Sequence, residues 1–227
     1  MESFEFDGTY ADADSHESEA IVWRVSQYKG ARPPQWGSGF ELSTRIRGVH
    51  FSGLSFDTLD PDDDHSPSVV GLRVNAGGLH ECVLTGALPC VVEIDGELVT
   101  TAIDFRLDLT ANALANVAAP ANLQLSLSVG TYRLAVVDDW FEGGMLKVEA
   151  ALPENMRLRS CVTCLYSDYS PGGHGLIGIL CHRDAKAQYL AVRSKLDYWS
   201  VPVTEEVLET YLCGEYQRRV PGTGYRG

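Results

Sequence analysis

The chain reads as a mainly β protein: an antiparallel β-sandwich or barrel over residues 1–156, followed by a C-terminal α+β module over residues 157–227 that four cysteines organise around a metal. Three observations predict this. Polarity alternates with period two in short segments from Ser3 to about Leu152, which is the pattern of half-buried strands. Helical periodicity is nearly absent from the same stretch, and roughly eight to ten short strands without helices argue for an antiparallel sandwich or barrel. Near Pro153 the character changes: arginines and lysines concentrate in the final third, and four of the six cysteines fall there.

The elements follow in order. Phe4 and Phe6, then Ile21, Trp23 and Val25, mark the first strands. The clearest hairpin joins Cys90–Ile94 to Leu98–Leu109 through Asp95-Gly96, a dipeptide suited to a two-residue turn because glycine tolerates positive φ. A second hairpin joins Leu123–Ser128 to Tyr132–Val137, turning at Gly130-Thr131. A further strand is expected over Leu146–Ala150, after Gly143-Gly144. Gly30–Gly39, Asp57–Pro67 and Thr110–Pro120 read as loops; the last of these has a short helix as its alternative. In the final third a helix is expected from Glu205 to about Arg218, with Thr204 as N-cap, acidic residues in the first turn, and Arg218 and Arg219 near its end.

Composition sets the boundaries of function. With 44% apolar and 22% charged residues the chain is of ordinary globular type. A net charge of -13 opposes the counterion release that drives nucleic-acid binding, so a basic protein partner is favoured over DNA or RNA. No segment carries the ~20 consecutive apolar residues that span a bilayer, and Met1–Tyr10 lacks the basic and apolar regions of a secretory signal. The expectation is a cytoplasmic protein, and in a reducing compartment cysteines serve metal binding or burial before disulfides.

Cys161-Val-Thr-Cys164 is a CxxC, and Cys181 and Cys213 follow within the same stretch. Two residues between the first pair let both thiolates reach one ion from a tight turn, and two more complete a tetrahedral set. Zn²⁺ is the expected metal, with an iron–sulfur cluster as the alternative, since both accept four thiolates. Buried thiols without a metal, or a Cys161/Cys164 redox pair, are the competing readings. Cys82 and Cys90 sit in strand contexts where burial is the default.

The strings Cys161-Val-Thr-Cys164-Leu-Tyr-Ser-Asp-Tyr-Ser-Pro171, Gly178-Ile-Leu-Cys181-His-Arg183, Glu209-Thr-Tyr-Leu-Cys213-Gly-Glu-Tyr216 and Gly222-Thr-Gly-Tyr-Arg-Gly227 resemble the C-terminal signature of an uncharacterised bacterial domain family. The set of four cysteines is also similar to small all-thiolate zinc or iron–sulfur modules. The resemblance implies a bacterial origin and treats the four cysteines as one set; it brings no activity with it.

Other motifs carry less. Gly173-His-Gly175-Leu-Ile-Gly178 matches GxGxxG but lacks the strand-to-helix context of a dinucleotide site; its glycines are expected to bring backbone N–H groups near the thiolates. His174 and His182 are polar loop residues or substitute ligands. Asp60, Asp62, Asp63 and Asp64 with His65 lack the calcium-loop spacing and read as a solvated loop. Asp138 and Asp139 read as a strand-end cap. Tyr225 and Arg226 are expected to anchor the tail near the cysteines. GxSxG, HExxH and GxxxxGK[ST] are all missing from the sequence. The leading reading is an interaction protein with a structural metal site; the alternative is an iron–sulfur enzyme or accessory redox subunit.

Overall fold

The structure is a computed structural model that describes residues 3–13, 17–33, 36–62, 70–75, 78–109, 122–172, 175–223 and 225. The predicted alternation appears directly as strands. β1 (Phe4–Asp12), β2 (Glu19–Gln27), β3 (Phe40–Ile46), β4 (Val49–Gly53) and the two-residue β5 (Asp60–Pro61) run as an antiparallel meander. A small ladder of β6 (Val74–Asn75) and β7 (Gly78–Leu79) follows. β8 (Cys82–Ile94) and β9 (Glu97–Asp108) form the long hairpin, and β10 (Asn122–Val129) and β11 (Tyr132–Asp138) the second. Both turns are as expected: Asp95 and Gly96 have φ of 51° and 89°, and Gly130 has φ of 56°.

With β12 (Met156–Leu158) these strands make one ten-stranded antiparallel sheet, ordered β11-β10-β9-β8-β1-β2-β3-β4-β5 with β12 beside β8. The sheet is not a closed barrel, because β11 and β5 remain its two ends. Trp23, Phe56, Phe105 and Phe141 meet ring to ring, with centroids 4.5 to 5.9 Å apart along the chain Trp23–Phe56–Phe105 and Phe56–Phe141, at the centre of the core. The Trp23 indole N–H donates to the Thr85 carbonyl at 2.8 Å, which satisfies the one polar atom of that ring.

The expected strand over Leu146–Ala150 is instead part of a helix, α1 (Phe141–Ala151). Phe141, Gly144, Met145 and Val148 are its buried residues, spaced i, i+3, i+4 and i+7. Gly143-Gly144, expected ahead of that strand, lies inside the helix, where a Cβ would meet Asp138 at the first position and Leu125 at the second.

The C-terminal segment builds a second, three-stranded antiparallel sheet from β13 (Ser167–Asp168), β14 (Ile179–Cys181) and β15 (Glu205–Val207). Two short helices, α2 (Lys186–Leu190) and α3 (Lys195–Trp199), lie between β14 and β15. The expected helix over 205–218 does not form. Its first residues are β15, with Glu205 and Val207 buried and Glu206 between them less so, and Thr204 accepts from the Asp184 N–H rather than capping a helix of its own. Ser38, in the predicted 30–39 loop, bridges to Glu205 and extends this sheet.

The two sheets meet where β8 changes partner. β1 pairs with β8 over Cys82–Gly86, and β12 pairs with it over Val92–Ile94. Pro89 lies between, and a proline has no N–H to give a ladder. Beside this opening runs the segment around Leu208–Leu212, lining a cleft of about 300 Å³ with Phe4, Pro89, Cys90 and Val91. Leu158, Val162, Leu176, Ile177 and Leu208 join the same apolar cluster as the large sheet. The division at residue 156 therefore falls within a continuous core. The predicted loop 110–120 lies outside the described residues.

Candidate metal centre

Three stretches of chain carry the four cysteines. Cys161–Thr163 is a single 3-10 turn closed by the Cys164 N–H donating to the Cys161 carbonyl at 3.0 Å. Cys181 is the last residue of β14, paired with Ser167 on one side and Glu205 on the other. Cys213 opens a tight turn in which the Tyr216 N–H donates to its carbonyl at 3.2 Å. Backbone bonds tie these stretches together: the Cys161 N–H donates to the Tyr211 carbonyl at 2.7 Å, and the Leu165 N–H to that of Gln217 at 2.7 Å. The Ser167 hydroxyl bonds the Cys161 carbonyl, and reaches that of Cys164 at 3.2 Å.

The thiols are electrostatic neighbours. Burial pushes the Cys161 thiol well up, and the nearby Cys181, Cys164 and Cys213 add to the shift. Cys181 is also raised, first by burial, while the Arg183 backbone N–H bonded to its sulfur pulls the other way. Cys161, Cys164 and Cys181 are buried and Cys213 is partly exposed. Among the described residues, however, no three His, Cys, Asp or Glu side chains are drawn into a ligand group. The four thiols share a neighbourhood without closing on one point.

The donor set suits a soft or borderline divalent cation. Buried thiols near one another resist ionisation, and a cation bound among them would reverse that balance. Arg183 Nη1 lies 3.6 Å from Cys181 Sγ and pairs with the buried Glu205 carboxylate. Burial opposes ionisation of Glu205, but Arg183 holds it below the usual carboxylate range. Sequence spacing does not reveal this ion pair, since Arg183 and Glu205 are distant in the chain and each looks like an ordinary surface residue.

The other candidates resolve individually. His182 is fully buried, its Nδ1 3.0 Å from the Pro202 carbonyl and its Nε2 2.9 Å from the Tyr198 hydroxyl, with its ring stacked on Tyr189. Both nitrogens are occupied, so His182, in the connection that follows β14, is a buried residue held by its neighbours rather than a free ligand. His174 and Gly173 lie outside the described residues. Gly178, with φ of 110°, donates its N–H to Glu209 Oε1 at 2.9 Å rather than to a sulfur. Asp62 bonds His50 Nδ1 and Ser52 Oγ, each at 2.6 Å, at the edge of the sheet; Asp63, Asp64 and His65 lie outside the described residues. Asp138 accepts from the N–H groups of Asp139 and Trp140 and pairs with Lys147, as a cap at the entry to α1. The Tyr225 ring packs 5.3 Å from that of Tyr198, and Arg226 lies outside the described residues.

Sequence reasoning missed Glu209. Its carboxyl is buried, accepts from Gly178 N–H and Tyr169 OH, and is pushed up to about 7, first of all by burial.

Fold and site together define a mainly β protein with one large antiparallel sheet, not closed into a barrel, and a cysteine-bearing extension that shares its apolar core. Residues 4–167 match DUF6304, described as a family of unknown function, and the chain belongs to that family. The match takes in Cys161 and Cys164 and ends before Cys181, so it does not reach most of the C-terminal strings. No curated protein and no solved structure matches the chain. No helix among the described residues is long and apolar enough to cross a membrane.

Proposed function

We propose that the chain is an interaction protein whose last third is held by one Zn²⁺ on Cys161, Cys164, Cys181 and Cys213. What supports this reading is that backbone hydrogen bonds and β pairing bring three cysteine-bearing stretches, up to 52 positions apart, side by side. Four protein ligands leave no open coordination position, so the metal is structural rather than catalytic.

The partner in this reading is a basic protein. Residues 1–156 hold 24 acidic against 9 basic side chains, while residues 157–227 hold 7 against 9. The acidic part therefore offers a field that steers a cationic surface toward the large sheet.

Elemental analysis of anaerobically purified protein tests the metal, with an absorption spectrum of the same sample. About one zinc per chain in a colourless sample is expected. Iron with absorption near ~400 nm would replace this reading with an iron–sulfur protein, and protein without metal would remove the site. Salt-sensitive capture of a basic partner by the intact chain, lost when acidic side chains of the sheet are neutralised, tests the second part.

A further inference from the structure

The large sheet ends in two unlike edges. β5 is two residues long, consists of Asp60 and Pro61 and is followed by Asp62, features that blunt an edge against pairing. β11 has seven residues, no proline and an uninterrupted register with β10 from Leu123↔Asp138 to Val129↔Tyr132. Its inward side chains Tyr132, Leu134 and Val136 are only partly buried, and Val137 is 58% exposed on the outer face.

The backbone of β11 is open on one side. A two-residue hairpin closes on a hydrogen-bonded pair, here Val129 and Tyr132, so the even-numbered residues of β11 bond to β10. Alternation then turns the N–H and C=O groups of Arg133, Ala135 and Val137 outward, where no described strand pairs with them. The Val137 carbonyl meets the Lys147 ammonium at 2.8 Å, and that lysine is also held by Asp138, so it stays in place when the carbonyl takes another donor.

We propose that β11 pairs antiparallel with β11 of a second copy of this chain, about a two-fold axis at Val136, joining two sheets edge to edge. The charges decide the occupant. Arg133 and Asp139 stand three positions either side of Val136, so this register sets Arg133 of each copy opposite Asp139 of the other. It also sets Ala135 opposite Val137, covering the exposed valine, and brings the half-buried Val136 against its own counterpart, with Leu134 opposite Asp138. A segment with Arg133 in the strand and Asp139 one residue past its end, placed symmetrically about Val136 on the outer face, is complementary to itself. This inference is independent of the metal.

Sedimentation equilibrium of the full chain tests it, with far-UV CD and thermal melting as folding controls. Wild type is expected to dimerise below about 100 µM, the range in which a specific but modest interface forms. Ala135→Pro removes an outward N–H without touching the β10 ladder and should leave a folded monomer. Arg133→Asp should weaken the dimer about tenfold or more, by turning two opposite-charge pairs into like-charge pairs, and Arg133→Asp with Asp139→Arg should restore it. A wild-type monomer at that concentration overturns the proposal and leaves the edge to a strand of another protein. A dimer indifferent to Arg133→Asp, or not restored by the double exchange, overturns it as well, and this arm stands even if the proline variant fails to fold.

Discussion

Two buried titratable side chains in the C-terminal segment pull stability in opposite directions with pH. Burial pushes the Glu209 carboxyl up to about 7 from its usual 4.5. The folded state therefore keeps a proton that the unfolded state gives up, and stability falls as pH rises from about 4.5 to 7. The full loss is roughly 3 kcal/mol. His182 has the opposite sign: burial lowers its value from 6.5 despite the Pro202 carbonyl and Asp168, so stability falls as pH drops below 6.5 and the unfolded imidazole takes a proton. Glu209→Gln keeps an Oε1 acceptor for Gly178 and Tyr169 while abolishing the titration. Urea denaturation at pH 5, 6, 7 and 8 should show the variant gaining stability toward neutral pH, where the histidine acts alone, with a net advantage over wild type at pH 8. Parallel profiles for the two proteins would show that Glu209 ionises normally. Nothing in the sequence distinguishes Glu209 from Glu206 or Glu205; the difference is its complete burial in the fold, which the hydrogen bonds from Gly178 and Tyr169, 31 and 40 residues upstream, only partly offset.

Elements were legible where local chemistry alone sets them. Asp95-Gly96 and Gly130-Thr131 define their hairpins because the turn geometry requires those residues, and the flanking alternation fixes which side is buried. The failures share one cause: a local signal served a tertiary purpose. Gly143-Gly144 is expected only to precede a strand, yet both lie in α1, and a Cβ on Gly144 would stand 2.7 Å from Leu125 Cδ1, so the glycine lets α1 lie close on β10. Thr204-Glu205-Glu206 reads as a capped helix start, but the Thr204 N–H donates to the Cys181 carbonyl and Glu205 pairs with Arg183. Gly144→Val should cost about 1–3 kcal/mol in chemical denaturation, the usual penalty for forcing volume into a packed contact. Gly214→Ala, where a Cβ meets nothing within 4 Å, is the control and should be near neutral. Equal effects at the two positions would remove close packing as the reason for the helical glycine.

At the scale of the whole molecule, sequence patterning fixes the β class but not the sheet order. The adjacency of β1 and β8 joins residues 70 to 78 positions apart, and no local propensity encodes such a pairing; the same is true of the three stretches that bring the cysteines together. The shared core has a consequence that a chain of two independent units would not show. Leu158, Val162 and Leu208 belong to the same apolar cluster as Trp23 and Phe105, the Leu208–Leu212 segment lies against the opening at Pro89, and Arg159 pairs with Glu93 across the boundary at 2.7 Å. Loosening the cysteine region should therefore loosen the large sheet. In the proposed zinc protein, metal-binding energy is folding energy, so Cys213→Ser should lower the melting temperature by roughly 10 °C, corresponding to a loss of a few kcal/mol in a chain of this size. The decisive reading is which signals move. Trp23 is fully buried in the large sheet, whereas Trp199 lies on α3 beside Trp36. Tryptophan fluorescence of Trp36→Phe/Trp140→Phe/Trp199→Phe protein, which leaves Trp23 as the one indole, should shift at the same lowered temperature as far-UV CD. A Trp23 transition that stays at the wild-type temperature while the rest melts would mean that the two sheets unfold independently, and that the contacts around Pro89 contribute little to holding them together.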